Sequence, residues 1–240
     1  MEVVLLGTGS ILTTSLSSCA VLDSRIMLDC GNGAVKALRR NNIDPKSVDI
    51  CLITHFHADH FFDIPFMLLE QGLRQLRENE FIIIGPNDTK HRIINLFNLA
   101  YPEDWDKIQS QSKLKVIEIS EPRQVFQVYG YDITSVKVEH ANYDAYGYIV
   151  SDGQFCAGFT GDAVLCEGVI DITESSNIVF ADMSFENPSK GHMGLSDIEI
   201  LMNEYGQNKR IIPTHMTDNV RNVFSQKHFP APEDGAKYSL

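Results

Sequence analysis

The stretch Thr54-His55-Phe56-His57-Ala58-Asp59-His60 crowds three histidines and a carboxylate into six positions. Asp49-Ile50-Cys51-Leu52-Ile53 in front of it reads as a short buried strand. Phe61 to Leu69 behind it is apolar and leads into a helical pattern running to about Glu78. The cluster therefore sits on a strand-to-helix turn, the place where open α/β architectures gather ligands and active sites. On extended backbone His55 and His57 point the same way. Asp59 and His60 fall where a helix begins and can face a second point. One loop can thus serve two neighbouring metal positions with the ligand types that suit zinc, iron or manganese. The bland alternative is a His-rich polar loop, but packing so many ionisable groups together without a metal is costly.

Composition narrows the class. The 240 residues suit one sizeable domain, taken as 1–240, and 43% hydrophobic residues fit a globular protein. The N-terminal Met1-Glu2-Val3-Val4-Leu5-Leu6-Gly7 has no basic region and does not read as a signal peptide. No stretch approaches a membrane span. Five cysteines without paired spacing (Cys19, Cys30, Cys51, Cys156, Cys166) read as small buried residues of a reducing compartment, so the expectation is a cytoplasmic protein with no membrane partner. A net charge of −12 argues against an extended nucleic-acid surface. It leaves room for a small phosphate ester, because a pair of metal ions supplies strong local positive charge.

Along the chain, residues 2–6 read as a strand ending in Gly7-Thr8-Gly9-Ser10, a structural turn lacking the rest of a nucleotide fingerprint. A Ser/Thr-rich loop follows. Residues 19–23 and 25–29 form a plausible hairpin about Ser24, and a helix spans 34–40. Asp44-Pro45-Lys46-Ser47 is a turn. Phe81–Ile84 is a buried strand, and 88–113 is mostly helix, with His91 read as a surface residue and Trp105 as core filler. Residues 114–160 look all-β, and Ile133–Glu139 alternates cleanly before delivering His140 at a strand end. Thr160-Gly161-Asp162 ends another strand, with a short helix or turn over 163–168. Asn177–Asp182 is a buried strand whose exit leads to Gly191-His192-Met193. A helix over 195–201 is expected with Ser196 as N-cap and Glu199 completing a capping box. Arg210–Thr214 is the last strand and ends in His215. A helix covers 217–226, and the tail from Phe229 looks irregular.

His-x-His-x-Asp-His between strand and helix resembles the signature of the metallo-β-lactamase superfamily, and the likeness extends over roughly residues 2–216. It implies an α+β fold, the four-layer αββα sandwich; periodicity alone gives only mixed α and β. It further implies that His55, His57 and His140 hold one divalent metal. Asp59, His60 and His215 would hold a second, with Asp162 bridging. Zinc is the expected ion, with manganese or iron admissible. Asp29, in Leu28-Asp29-Cys30-Gly31, would support the metal loop from behind; its alternative role is an ordinary helix N-cap.

The chemistry implied is hydrolysis by a hydroxide shared between two metals, with Asp59 orienting it or taking its proton. Gly7-Thr8-Gly9, Leu28-Asp29-Cys30-Gly31 and Gly147-Tyr148 after His140 resemble the ribonuclease Z and phosphodiesterase branch. There His192 is the position that would assist the leaving group; the alternative is a loop histidine that merely touches substrate. One departure stands out. Only 21 residues separate His140 from Asp162, where the ribonuclease carries a long tRNA-gripping arm. A phosphodiesterase acting on a small phosphodiester is the leading expectation. The alternatives are a thioesterase, lactonase or other carbonyl-ester hydrolase, and a tRNA 3′-processing endoribonuclease. An apolar face on the 61–69 helix would give a route to a homodimer.

Overall fold

A computed structural model describes residues 1–73 and 77–240. In chain order the strands are β1 (Glu2–Gly7), β2 (Cys19–Leu22), β3 (Ile26–Leu28), β4 (Ile50–Leu52), β5 (Phe81–Gly85), β6 (Leu114–Glu118), β7 (Arg123–Val128), β8 (Tyr131–His140), β9 (Tyr143–Ser151), β10 (Cys156–Phe159), β11 (Ile178–Asp182), β12 (Arg210–Thr214) and β13 (Lys237–Ser239). The helices are α1 (Ala34–Arg40), α2 (Ala58–Phe61), α3 (Ile64–Leu73), α4 (Thr89–Ala100), α5 (Trp105–Ser112), α6 (Glu167–Glu174), α7 (Leu195–Ile200) and α8 (Asp218–Lys227).

The strands form two sheets, ordered β13-β1-β2-β3-β4-β5-β6 and β12-β11-β10-β9-β8-β7. Period-2 alternation assigns each side chain to a layer. Val3, Leu5, Ile50, Leu52, Ile82 and Ile84 face the second sheet and meet Ile133, Tyr148, Val150, Phe159 and Phe180. Their neighbours Val4, Leu6, Cys51, Ile53, Phe81 and Ile83 face outward onto α1, α3, α4 and α5 through Leu38, Met67, Leu68, Phe97 and Ile108. The outer face of the second sheet packs Val136, Val179 and Ala181 against Val169, Ile172, Ile198, Val220 and Phe224 of α6, α7 and α8. The result is the four-layer αββα sandwich. All five cysteines are free thiols. Among the described residues no helix is long and apolar enough to cross a membrane.

Strands β3 to β6 run parallel, as do β10 to β12. Parallel strands put all their C-terminal ends at one rim, and there the sequence places Asp29, Thr54, Asp162, Asp182 and His215. The loop after β4 is fastened from the second sheet: the Tyr146 amide donates to the Thr54 carbonyl at 3.0 Å, and the buried Tyr148 hydroxyl donates to the Ile53 carbonyl at 2.7 Å.

Several boundaries differ from expectation. The helix after the cluster is two pieces, α2 and α3. Part of the stretch expected to continue it, 74–76, lies outside the described residues, and 77–80 is not helical. Arg77 instead turns inward to Asp49, Gln71 and the Val48 carbonyl. Helix α7 is capped by Gly194, not Ser196, because the Asp197 carboxylate accepts from the Gly194 amide at 3.0 Å. Helix α6 extends well past the short turn expected at 163–168; its apolar face is only Val169 and Ile172, too brief a pattern to stand out. The tail is not wholly irregular. Lys237–Ser239 joins the edge of β1, and so short a strand shows itself only when a partner edge supplies its hydrogen bonds.

Candidate metal centre

The seven ligand candidates come from both sheets and meet at one rim. Ligating atoms of His55, His57, His140 and Asp162 lie within 4.8 Å of one another, as do those of Asp59, His60 and His215. Asp162, His192 and His215 form a third such group. Asp162 lies between the sets: its Oδ2 is 3.3 Å from His60 Nε2, 3.4 Å from His215 Nε2 and 3.8 Å from His55 Nε2. Asp59 Oδ2 is 3.5 Å from His60 Nε2 and 3.3 Å from His215 Nε2.

Four of the imidazoles are aimed by their outer nitrogens. Asp29 Oδ2 accepts from His60 Nδ1 at 2.7 Å. The Gly191 carbonyl accepts from His140 Nδ1 at 2.6 Å. Thr54 Oγ1 lies 3.0 Å from His55 Nδ1, and Ser184 Oγ lies 2.7 Å from His215 Nδ1. With Nδ1 engaged behind, Nε2 of all four rings faces the common space; such outer partners fix the tautomer a metal requires. His57 enters the other way round, with Nδ1 3.3 Å from His140 Nε2.

Whether the residues suit metal ions can be read from their unmet bonding. Among the described residues, His55 Nε2, His60 Nε2 and Asp162 Oδ1 are buried with no hydrogen-bond partner. Buried polar atoms are rarely left so, because the desolvation cost is about 1–3 kcal/mol each. Here the unsatisfied atoms converge on one space and carry lone pairs. The donor set of imidazole nitrogens and carboxylate oxygens is one that divalent zinc, manganese or iron accepts.

Electrostatics agree. Burial opposes charge on His60, yet Asp162 and Asp29 hold it well above the ordinary imidazole range. Burial opposes charge on His215 as well, and Asp162 and Asp59 raise it. Burial would raise Asp162, but His215 and His60 hold it well below the carboxylate range. His55 is pushed well down by burial and by His60, against the pull of Asp162. The cleft thus gathers carboxylates that call for positive charge beside them.

The backbone is bent to fit. Asp29 and His215 both sit in the left-handed region, at φ 59 and 55. Such conformations cost roughly 1–3 kcal/mol each and persist where surrounding structure enforces them. Gly31 touches the metal loop so closely that a Cβ would lie 1.6 Å from the Asp59 carbonyl oxygen. Gly191, at φ +87, brings its carbonyl to His140; a Cβ there would lie 2.9 Å from the ring.

His192 joins the cleft from the loop before α7. Its Nδ1 lies 2.9 Å from Asp182 Oδ2 and 3.0 Å from Ser184 Oγ. Burial opposes its charge, but Asp182 raises its pKa. Asp29 does not cap a helix. It accepts from the Thr54 amide and hydroxyl, both at 2.8 Å, as well as from His60; Gly33 occupies the N-cap of α1. The two remaining histidines lie apart, His91 exposed beside Asp88 and His228 beside Glu199. Trp105 packs on Phe97 with ring centroids 5.6 Å apart, in the helical layer.

Four contributors escaped the sequence reading: Thr54, Asp182, Ser184 and Tyr143. Asp182 had a signal, a carboxylate closing a buried strand as Asp162 does. Tyr143, about half exposed, sets its ring 4.2 Å from that of His57 at the cleft mouth. Nothing local marks it.

Known proteins share this fold. The metallo-β-lactamase fold protein YhfI from Bacillus subtilis superposes with TM-score 0.77 and 18% identity, over 99% of this chain and 98% of that one. The short form of human tRNase Z gives TM-score 0.80 and 19% identity, over 100% and 99%. A Ribonuclease Z of Agathobacter rectalis is 34% identical over 155 residues, 62% of this chain and 48% of that protein. The chain spans about half the length of the curated relatives it matches. Fold and sequence together define a ribonuclease Z-like member of the metallo-β-lactamase superfamily. Within it, the family model described as "Anti-Pycsar protein Apyc1" matches residues 1–231, and the chain belongs to that family.

Proposed function

We propose that this protein is a metal-dependent phosphodiesterase acting on small phosphodiesters. The observation that carries the reading is the convergence of seven nitrogen and oxygen donors at one rim, with buried lone pairs left unsatisfied. In this reading His55, His57 and His140 hold one divalent ion and Asp59, His60 and His215 a second, with Asp162 between them. Zinc suits the donor set, and manganese or iron are admitted by it. Such ions supply Lewis acidity at the phosphoryl oxygens and make a nearby water more acidic.

The side chains then divide the proton traffic. Asp59 orients the attacking water and takes its proton as the new P–O bond forms. His192 gives a proton to the departing oxygen as the old P–O bond breaks. Its Nδ1 is occupied by Asp182 and Ser184, so the proton exchanged is the one on Nε2. Asp182 favours the charged ring before transfer, which suits an acid operating near neutral pH.

Small substrates are favoured by what lies between His140 and Asp162. Residues 143–151 and 156–159 are spent on β9 and β10, leaving only tight turns. The acidic net charge also disfavours a long polyanion. A second reading, tRNA 3′ processing, is favoured by the likeness to Ribonuclease Z. Half-exposed Phe62 and Phe66 are the apolar surface through which two copies would pair.

The deciding experiment compares bis(p-nitrophenyl) phosphate with p-nitrophenyl thioester and lactone substrates, using zinc- or manganese-loaded protein and a chelated control. Metal-dependent turnover of the phosphodiester, exceeding that of the carbonyl substrates, is expected. Turnover of thioesters or lactones alone would replace the phosphodiesterase reading.

A further inference from the structure

Ser184 is nowhere in the ligand set, yet three functional groups meet at its hydroxyl. It is 1% exposed and lies two residues past the end of β11. Its Oγ lies 2.6 Å from Asp182 Oδ1, 2.7 Å from His215 Nδ1 and 3.0 Å from His192 Nδ1. A hydroxyl has one proton and two lone pairs, and an ionised carboxylate only accepts. The proton therefore goes to Asp182 Oδ1. The lone pairs are left for the N–H groups of the two histidines, with His192 shared between Ser184 Oγ and Asp182 Oδ2 at 2.9 Å.

The Ser184 hydroxyl, with one proton and two lone pairs to share, fixes both tautomers at once. His215 carries its proton on Nδ1, so Nε2 presents a lone pair 3.3 Å from Asp59 and 3.4 Å from Asp162. His192 carries its neutral-state proton on Nδ1 too, so Nε2 is the atom that exchanges. The two rings are held nearly parallel, 10° between planes and 5.4 Å between centroids. The Thr217 hydroxyl donates to the Ser184 carbonyl at 2.9 Å and anchors the residue from the far side.

We propose that Ser184 is a positioning residue that sets the tautomer and angle of His215 and His192 together, coupling metal retention to protonation of the leaving group. The proposal rests on the phosphodiesterase reading for its second half only; metal retention is measured without any substrate.

The test uses Ser184→Ala and Ser184→Thr beside wild type and His192→Ala, each shown folded by circular dichroism. The first readout is metal retained per chain against a graded chelator. Ser184→Ala is expected to lose metal at about tenfold to a hundredfold less chelator than wild type, the usual effect of removing an outer partner of a ligating histidine. His192→Ala is expected to retain metal as wild type does. The second readout is the ratio of turnover between bis(p-nitrophenyl) phosphate and diphenyl phosphate, whose phenolate is the poorer leaving group. Ser184→Ala is expected to shift that ratio against diphenyl phosphate, as His192→Ala does, and Ser184→Thr to restore both readouts. Wild-type retention in Ser184→Ala overturns the proposal, as does a folded Ser184→Thr no better than alanine. An inactive wild type that holds its metals overturns the phosphodiesterase reading instead, and the retention readout still decides the role of Ser184.

Discussion

Asp29 holds three hydrogen bonds from a buried, left-handed position, and that makes it the most exacting single residue behind the centre. Its own pKa is raised by burial, against the pull of His60 and Thr54, so its charge depends on those partners. Asp29→Ala should leave the Thr54 amide and His60 Nδ1 without their acceptor. The expected outcome is roughly tenfold to a hundredfold weaker metal binding and a stability loss of about 1–3 kcal/mol, read by competition with a chelating dye and by urea unfolding. Wild-type metal affinity in a folded variant would remove Asp29 from the account. At this scale the side chains that converge on the cleft were legible, because a His-x-His-x-Asp-His turn and strand-end His and Asp residues are local patterns. Of the outer partners, Asp29 was foreseen through the superfamily resemblance, whereas the roles of Asp182 and Ser184 were not. Asp182 and Ser184 matter only because β11 lies between β10 and β12, and no local spacing reveals that neighbour order.

Elements show the same division. A strand with clean alternation, such as β8, stood out, since its two faces pack differently; β1, buried on both faces, alternates only weakly and was read from its apolar run. Elements whose existence depends on a partner, such as β13 and α6, did not stand out. One cross-element link has a pH signature. The Tyr131 hydroxyl, at the start of β8, donates to Asp23 Oδ2 in the β2–β3 turn at 2.8 Å, tying the two sheets together. Burial and Asp23 push the Tyr131 pKa up to about 12, against about 10 for a free tyrosine. A raised folded-state pKa gives stability that is fully present below the unfolded value and lost as pH rises through the folded one. Stability should therefore fall between about pH 10 and 12, and Tyr131→Phe should remove part of that fall. Urea midpoints measured across this range check it; identical alkaline slopes in the two proteins would show that the link carries no such coupling.

For the whole molecule, charge and cleft pull in opposite directions. The chain is strongly acidic, yet one rim gathers a centre suited to cations. A small anion needs only the centre, whereas a long nucleic acid needs a basic surface around it. Salt separates the two. Binding that uses 6–10 phosphate contacts loses about 10³–10⁵ in affinity between 50 and 200 mM salt. For a small phosphodiester, kcat/KM should change by no more than about threefold over that range, which corresponds to one screened charge pair near the surface. A steep salt dependence, with tRNA cleaved in preference, would favour the tRNA-processing reading. The sequence foretold the αββα layering only through its likeness to a known superfamily, because which sheet a strand joins is decided by contacts far apart in the chain. β6 and β7 are adjacent in sequence and belong to different sheets.

In the phosphodiesterase reading these residues hold two ions, and both are needed for activity. Elemental analysis of wild type and His60→Ala after reloading and desalting, with bis(p-nitrophenyl) phosphate turnover measured on the same samples, decides this. Two equivalents and metal-dependent turnover are expected for wild type, and one equivalent with most activity lost for His60→Ala. Two equivalents retained in His60→Ala, or full activity with one, would contradict that reading.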